Sequence, residues 1–320
     1  MHEPRFDITT LGEMLLRLSV PAGERLEAAK RLDVYPAGAE VNVISLLARL
    51  GNRTCWVGAL PQNPLGRLAA NALREAGVYM DGVLWQDRGR MGTYYVEFGA
   101  PPRGIQVTYD RADSCITQLE PNDIDWDILL DTRLLHLTGI TPALSPSCRD
   151  IVSIALTRAK ARGVPVSFDV NYRQKLWTED EARQTLLPFL RQSEIVFCSA
   201  RDAMKLFHCR GSMQEIAQGM LEQSRAHIVV ITFGEQGALL WDGTVWHHEP
   251  CVPTQIMDRL GAGDALAAGI IHGWLEGDVI AGLRYGVTLA ALALSQVGDM
   301  VITDRSELQS LMRGSSTLLR

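Results

Sequence analysis

The sequence has no apolar run approaching the roughly 20 residues that a membrane-crossing helix needs. It also has no basic-then-apolar leader, because Met1-His2-Glu3-Pro4-Arg5 runs directly into an apolar strand. A membrane role is not expected, and the cytoplasm is the expected compartment. Positive charge is not in excess either: 31 Lys and Arg against 37 Asp and Glu leave a formal net charge of −6. That balance argues against a nucleic-acid partner, which calls for a basic face, though a local basic cluster could still serve a small anion. The six cysteines, at 55, 115, 148, 198, 209 and 251, form no Cys-x-x-Cys pair. Neither a zinc site nor a disulfide frame is indicated, and no set of metal-ligating residues is expected. His208-Cys209 and His247-His248 read as polar residues at the ends of elements. Internal repeats and low-complexity linkers are absent. The first strand leads into Gly12-Glu13-Met14 rather than a G-x-G-x-x-G turn, which argues against a nicotinamide dehydrogenase.

What is present is core material. Apolar residues make up 47% of the chain, enough for one α/β domain spanning residues 1–320. Apolar runs rich in β-branched residues at 6–11 and 54–60 flank a segment, 41–50, whose Val43, Leu46, Leu47 and Leu50 keep helical spacing up to Gly51. Asn63-Pro64 opens another helix that stops at Gly77. Ser145-Pro146 opens a longer one, ending near Gly163. Further strands are predicted at 134–137, 164–170, 195–198 and 228–232, with a late helix over 261–275. This alternation predicts a mainly parallel sheet with helices on both faces. Two stretches break the rhythm. Residues 14–37 and 88–113 read as strands and turns, with alternation around Thr93-Tyr94-Tyr95-Val96-Glu97-Phe98 and Gln106-Val107-Thr108-Tyr109, and predict a small antiparallel flap.

In an open parallel sheet, ligands bind beyond the carboxyl ends of the strands. The predicted strands deliver Gly12-Glu13, Thr138-Gly139, Asn171-Tyr172-Arg173, Ser199 with Asp202, and Thr232 with Gly234 and Gly237 to one rim. The sharpest segment is Asp258-Arg259-Leu260-Gly261-Ala262-Gly263-Asp264-Ala265 at the head of the late helix. Gly261 and Gly263 allow a tight turn whose amides can face one anion, and the helix N-terminus favours negative charge there. Asp264 lies within reach of whatever that cradle holds. Phosphoryl transfer needs donors for the transferred group and a base for the attacking hydroxyl. Alone, the segment reads equally as a glycine-rich turn with an Asp cap.

A second motif changes the balance. Residues 258–266 resemble the D-T-x-G-A-G-D-A-F signature of ribokinase-like (PfkB) carbohydrate kinases. Ala37-Gly38-Ala39-Glu40-Val41-Asn42-Val43, continuing to Gly51, is similar to that family's G-G-A-x-x-N-V-A-x-x-L-A-R-L-G. Within the family, residues 135–145 (L-H-L-T-G-I-T-P-A-L-S) and 168–177 (F-D-V-N-Y-R-Q-K-L-W) look like segments of 2-keto-3-deoxygluconate kinases. The resemblance implies a three-layer α/β/α sandwich with a mainly parallel sheet and a β lid formed by 14–37 and 88–113. It implies ATP and Mg2+, with the metal carried on the phosphates by few protein ligands, and it leaves a monovalent cation open.

By the same resemblance Asp264 is the base, and the amides of Gly261, Ala262, Gly263 and Asp264 form the anion hole. Gly38 and Asn42 hold sugar hydroxyls. Tyr94, Tyr109, Arg111, Asn171 and Arg173 close on the sugar from the lid and the rim, and Ser199, Thr232, Gly234 and Gly237 line the nucleotide side. Arg111 and Arg173 suit a carboxylate, although either alone reads as an ion pair and the two tyrosines as flap core. The expected reaction is phosphorylation of the terminal hydroxyl of 2-keto-3-deoxygluconate. Fructose, 2-keto-3-deoxygalactonate or a non-catalytic sugar-binding regulator are the alternatives. The exposed lid face predicts a dimer or higher homo-oligomer. Departures from the family pattern are Ala37 for the first glycine, Arg259 for Thr, Leu266 for Phe, Ser199 and Asp202 at the N-x-x-E positions, and Val287 for an adenine-side Asn.

Overall fold

The computed structural model describes residues 3–99 and 102–314. Met1 and His2, with which the sequence reading of the chain's start began, lie outside the described residues, as do two positions of the second lid segment. The strands in chain order are β1 (Ile8–Leu11), β2 (Leu15–Ser19), β3 (Asp33–Ala37), β4 (Thr54–Pro61), β5 (Val83–Gln86), β6 (Gly92–Glu97) and β7 (Gln106–Asp110). They continue with β8 (Leu135–Thr138), β9 (Val166–Asp169), β10 (Ile195–Ser199), β11 (Ile228–Thr232), β12 (Ala238–Trp241) and β13 (Trp246–Glu249).

Nine of these form one sheet in the order β13-β12-β11-β10-β9-β8-β1-β4-β5, parallel from β5 to β11. The last two strands return antiparallel. They escaped the sequence reading, as did β5. Both faces are buried. Along β10, Ile195 and Phe197 enter one apolar cluster while Val196 and Cys198 enter the other. Continuous apolar runs of this kind mark a parallel sheet covered by helices on both sides.

The chain builds outward from β1 in both directions, through β4 to β5 and through β8 to β11. The order therefore reverses at β1, which opens a crevice at the strand ends there. Local chemistry sets the flanking helices. Asn63 Oδ1 accepts from Leu65 N and Gly66 N at the head of Pro64–Ala76, and Gly77 ends that helix in the left-handed region at φ 90°. The helix Pro146–Arg162 has the same plan, with Ser145 and Gly163.

The four remaining strands make the lid, in the order β3-β2-β6-β7. β2–β3 and β6–β7 are antiparallel, while β2 and β6, from different insertions, pair in parallel. Leu15, Ala37, Tyr94 and Val96 form a small apolar cluster beneath it. Ala37 is outside the positive-φ region, so the family's first glycine is not required by the backbone here. The next residue does require one. Gly38 has φ 150°, and a Cβ there would lie 2.3 Å from the Glu13 carbonyl oxygen.

Candidate active site

The crevice at the reversal is lined by lid, sheet and late helix together. The helix Ala262–Glu276 begins at Gly261, which is left-handed at φ 84° and offers no side chain as a cap. A Cβ on Gly261 would meet the Asp299 carbonyl oxygen at 2.4 Å, whereas one on Gly263 would meet nothing within 4 Å. The amides of Ala262, Gly263 and Asp264 open the helix and so have no intrahelical acceptors. Their placement in the first turn makes them donors for an anion, with the helix dipole adding to the same effect.

Asp264 lies at this turn and lines the crevice. Asn42, on the helix Ala39–Arg49, donates from Nδ2 to Asp264 Oδ2 at 2.7 Å. Burial pushes the Asp264 carboxyl up to about 8. Asn42 and Arg173 oppose that rise, while Asp169 and Asp299 add to it. A carboxyl tuned this way is close to neutral pH, where a general base works best.

The expected sugar-side residues separate into two groups. Gly38, Asn42, Tyr94, Tyr109, Arg111 and Arg173 share the crevice with Gly261 and Asp264. Asn171 does not line it. Its backbone is left-handed at φ 38°, and its N–H donates to Asp169 Oδ1 at 3.1 Å, so it turns the chain beyond β9. The two arginines also differ. Arg111 is buried and donates from Nε to Glu13 Oε2 at 2.8 Å, with a second contact from Nη2, so its charge is already matched. Arg173 is exposed at the crevice, and its guanidinium makes no hydrogen bond or close ion pair with any described residue, although its charge acts on Asp264, Asp169 and Asp202. The rings of Tyr94 and Tyr109 lie 5.6 Å apart, and Tyr94 donates its hydroxyl to Asp299.

The residues expected on the nucleotide side lie further along the rim. Ser199 and Thr232 are register partners at the carboxyl ends of β10 and β11. Ser199 Oγ accepts from Asp202 N at 3.0 Å, capping the helix Ala200–Leu206. Gly234 and Gly237 form the turn into β12. Gly237 has φ 88°, and a Cβ there would meet the Glu249 carbonyl oxygen at 2.0 Å. Val287 is buried in the apolar cluster on one side of the sheet. Among the described residues no group of three or more His, Cys, Asp or Glu is arranged to hold a metal. His247 pairs with Asp242 at 2.7 Å, and His248 with the Gln236 carbonyl at 2.8 Å.

Two acidic residues of the crevice, Glu40 and Asp299, escaped the sequence reading, and a third, Glu13, was placed on the rim without a role. Glu13 follows β1 directly, which was a usable signal. Glu40 Oε1 accepts from Thr138 and Thr141 at 2.8 and 2.7 Å, and burial raises its carboxyl. Asp299 stands outside any strand or helix, and only its position as a lone carboxylate in an apolar C-terminal stretch hinted at a role.

The comparisons agree with this geometry. The chain is 35% identical over 309 residues to a 2-dehydro-3-deoxygalactonokinase from Haloferax volcanii, covering 96% of this chain and 97% of that protein. The crystal structure of a 2-dehydro-3-deoxygluconokinase from Thermotoga maritima superposes with a TM-score of 0.91 at 32% identity, covering 98% and 100% of the two chains. A Pyrococcus horikoshii sugar kinase crystallised in complex with ATP shares the fold, with a TM-score of 0.80 at 22% identity over 94% and 96%. The pattern of the pfkB family carbohydrate kinases matches residues 5–304, a span that takes in both glycine-rich segments and Asp264. With that match, and with relatives aligned over nearly its whole length, the chain belongs to the pfkB family of carbohydrate kinases.

Proposed function

We propose that this kinase transfers the γ-phosphoryl group of ATP to the terminal hydroxyl of a 2-keto-3-deoxy sugar acid, with 2-keto-3-deoxygluconate as the substrate. The observation that carries the reading is that Asp264 and Arg173 line one crevice, with the Arg173 guanidinium hydrogen-bonded to no described residue. A guanidinium with its donors open to a ligand beside such a crevice suits a carboxylate, and a neutral ketose such as fructose has less need of it. Arg111, matched by Glu13, contributes shape and hydrogen bonds more than net charge. The Haloferax relative acts by its name on the galactonate epimer, which makes that sugar acid the second reading. The intact base argues against a non-catalytic regulator.

In the reaction Asp264 takes the proton of the attacking hydroxyl while Asn42 holds the carboxylate in place. The amides of Ala262, Gly263 and Asp264 stabilise the charge on the transferred group. Gly38 and the lid tyrosines position the sugar and keep water away. Magnesium, bound chiefly through phosphate oxygens and water, would offset negative charge on the donor. Ser199, Thr232 and the turn at Gly234 and Gly237 are placed to border the nucleotide.

The chain is read as one catalytic domain acting in the cytoplasm; no helix among the described residues is long and apolar enough to cross a membrane. The outer lid face carries a row across four strands, Val34, Leu18, Tyr95 and Thr108, with Val34 44% exposed. Pairing of two lids would cover it, and light scattering tests this. The activity is tested by a coupled ADP-release assay with 2-keto-3-deoxygluconate, 2-keto-3-deoxygalactonate and fructose, with magnesium, with and without potassium. Turnover with the sugar acids and little with fructose is expected. Preference for fructose would overturn the substrate reading while leaving the kinase intact.

A further inference from the structure

Behind the crevice lies a buried charge cluster that none of the roles above uses. Arg17, on lid strand β2, has no exposed surface, and neither does the side chain of Asp258. Arg17 Nη1 lies 2.6 Å from Asp258 Oδ2 and 2.7 Å from Asp299 Oδ1, and its Nε donates to Ser19 Oγ at 2.8 Å. The guanidinium lies over the rings of Tyr35 and Phe98, with centroids at 5.2 and 5.0 Å. Nη2 is left without a partner.

The two carboxylates are not passive counterions. Asp258 Oδ1 accepts from Leu260 N at 3.0 Å and its Oδ2 from Gly298 N at 3.2 Å. It therefore ties the turn leading into the cradle to the 298–299 turn. The Asp299 carbonyl abuts Gly261 so closely that a Cβ would not fit between them. Tyr94, the register partner of Arg17 on β6, donates its hydroxyl to the other Asp299 oxygen. Two paired lid residues thus grip both backbone segments that set the shape of the anion hole.

We infer that Arg17 is a positioning residue for phosphoryl transfer: by bridging Asp258 and Asp299 it locks the cradle turn to the lid sheet, so that the anion hole holds its shape only while the lid is seated. Arg17 does not line the crevice and touches no reacting atom. Its effect passes through the two turns. A sugar seated against Tyr94 and Tyr109 thereby also steadies the donors that receive the phosphoryl group. A lysine at 17 keeps the charge but offers a single ammonium in place of the planar fork. A methionine leaves two buried carboxylates facing each other without a cation.

The inference rests on the kinase reading of the crevice, so the test includes wild type and Asp264→Asn in the same assay. Loss of activity in Asp264→Asn upholds that reading independently of Arg17. In folded Arg17→Lys, kcat should fall between about tenfold and a hundredfold, the scale of a small misplacement of reacting groups. KM for ATP should stay within about threefold, because ground-state binding is not what is lost. Asp258→Asn should show the same split. Arg17→Met combined with Asp258→Asn should be no worse than Arg17→Met alone, since residues acting as one unit are not additive. If Arg17→Met does not fold, Arg17→Lys and Asp258→Asn carry the test. A folded Arg17→Lys or Asp258→Asn with kcat within about twofold of wild type overturns the inference. So does activity that falls only in step with the folded fraction, since that is what a merely structural ion pair would give.

Discussion

Asn42 Nδ2 sits 2.7 Å from Asp264 Oδ2, joining the helix Ala39–Arg49 to the first turn of the helix Ala262–Glu276 across more than two hundred residues of sequence. The contact holds one oxygen of the carboxylate and leaves Oδ1 without a hydrogen bond to any described residue. It also favours the charged form, against the burial that disfavours it.

The first expectation concerns Asp264→Asn. Loss of a general base should lower kcat between about a hundredfold and ten-thousandfold, with secondary structure by circular dichroism unchanged. Retention of near wild-type turnover would remove Asp264 from the mechanism.

The same substitution should stabilise the protein. Burial raises the Asp264 carboxyl in the folded state from the ordinary 3.8 to about 8. Between those values the folded chain holds a proton that the unfolded chain releases, so this group lowers stability as pH rises, and the penalty is complete above about 8. Asn carries no such penalty. The gain in thermal midpoint of Asp264→Asn over wild type should therefore be larger at pH 9 than at pH 5. A gain that shrinks with pH would contradict the assignment.

Activity should follow the same ionisation in the opposite sense. With a folded-state carboxyl near 8, kcat/KM for the sugar should climb as pH rises and level off above that value. Asn42→Ala removes a hydrogen bond that lowers the carboxyl's affinity for protons, so its limb should move to higher pH. A profile flat from pH 6 to 9 would show that another group limits the reaction.

Arg173→Ala tests the substrate class. Loss of a charge-assisted contact should raise KM for a sugar acid by about tenfold to a hundredfold, while any side activity on fructose should be unchanged. Equal losses on both sugars would make Arg173 a structural residue.

The two cradle glycines should respond differently to alanine. At Gly261 the positive φ and the Asp299 carbonyl at 2.4 Å predict a cost of about 1–3 kcal/mol, read as a lower thermal midpoint, together with loss of turnover. At Gly263, where a Cβ meets nothing within 4 Å, the midpoint should match or exceed wild type. Equal melting of the two variants would mean that the turn at Gly261 is not under constraint.

Features set by neighbouring residues were legible in the sequence. The caps at Asn63 and Gly77, the alternation of strands and helices, and the two lid segments all depend on local spacing, and the structure shows each. So did the turn at Gly261, because a glycine followed by an apolar helix is a short-range pattern. What escaped depends on partners far along the chain. The sequence displays Arg111 but not Glu13, 98 positions away, which neutralises it. Asn171 belonged to a family motif, yet its backbone conformation assigns it to the turn rather than the crevice lining. Val83–Gln86 is too short to stand out, and it becomes a strand because β4 offers it an edge.

The lid also bears on the order in which the molecule assembles. Each insertion contributes only a two-stranded ribbon, and such ribbons are marginal by themselves in water. They become a sheet where β2 meets β6, and that junction cannot form until β1 and β4 have brought the two insertions together. Closure over so long a stretch of chain is entropically costly and slow, so the lid is expected to form last. Opening either ribbon removes the support of the other, so hydrogen exchange should find the four strands opening as one cooperative unit, more readily than the parallel sheet beneath.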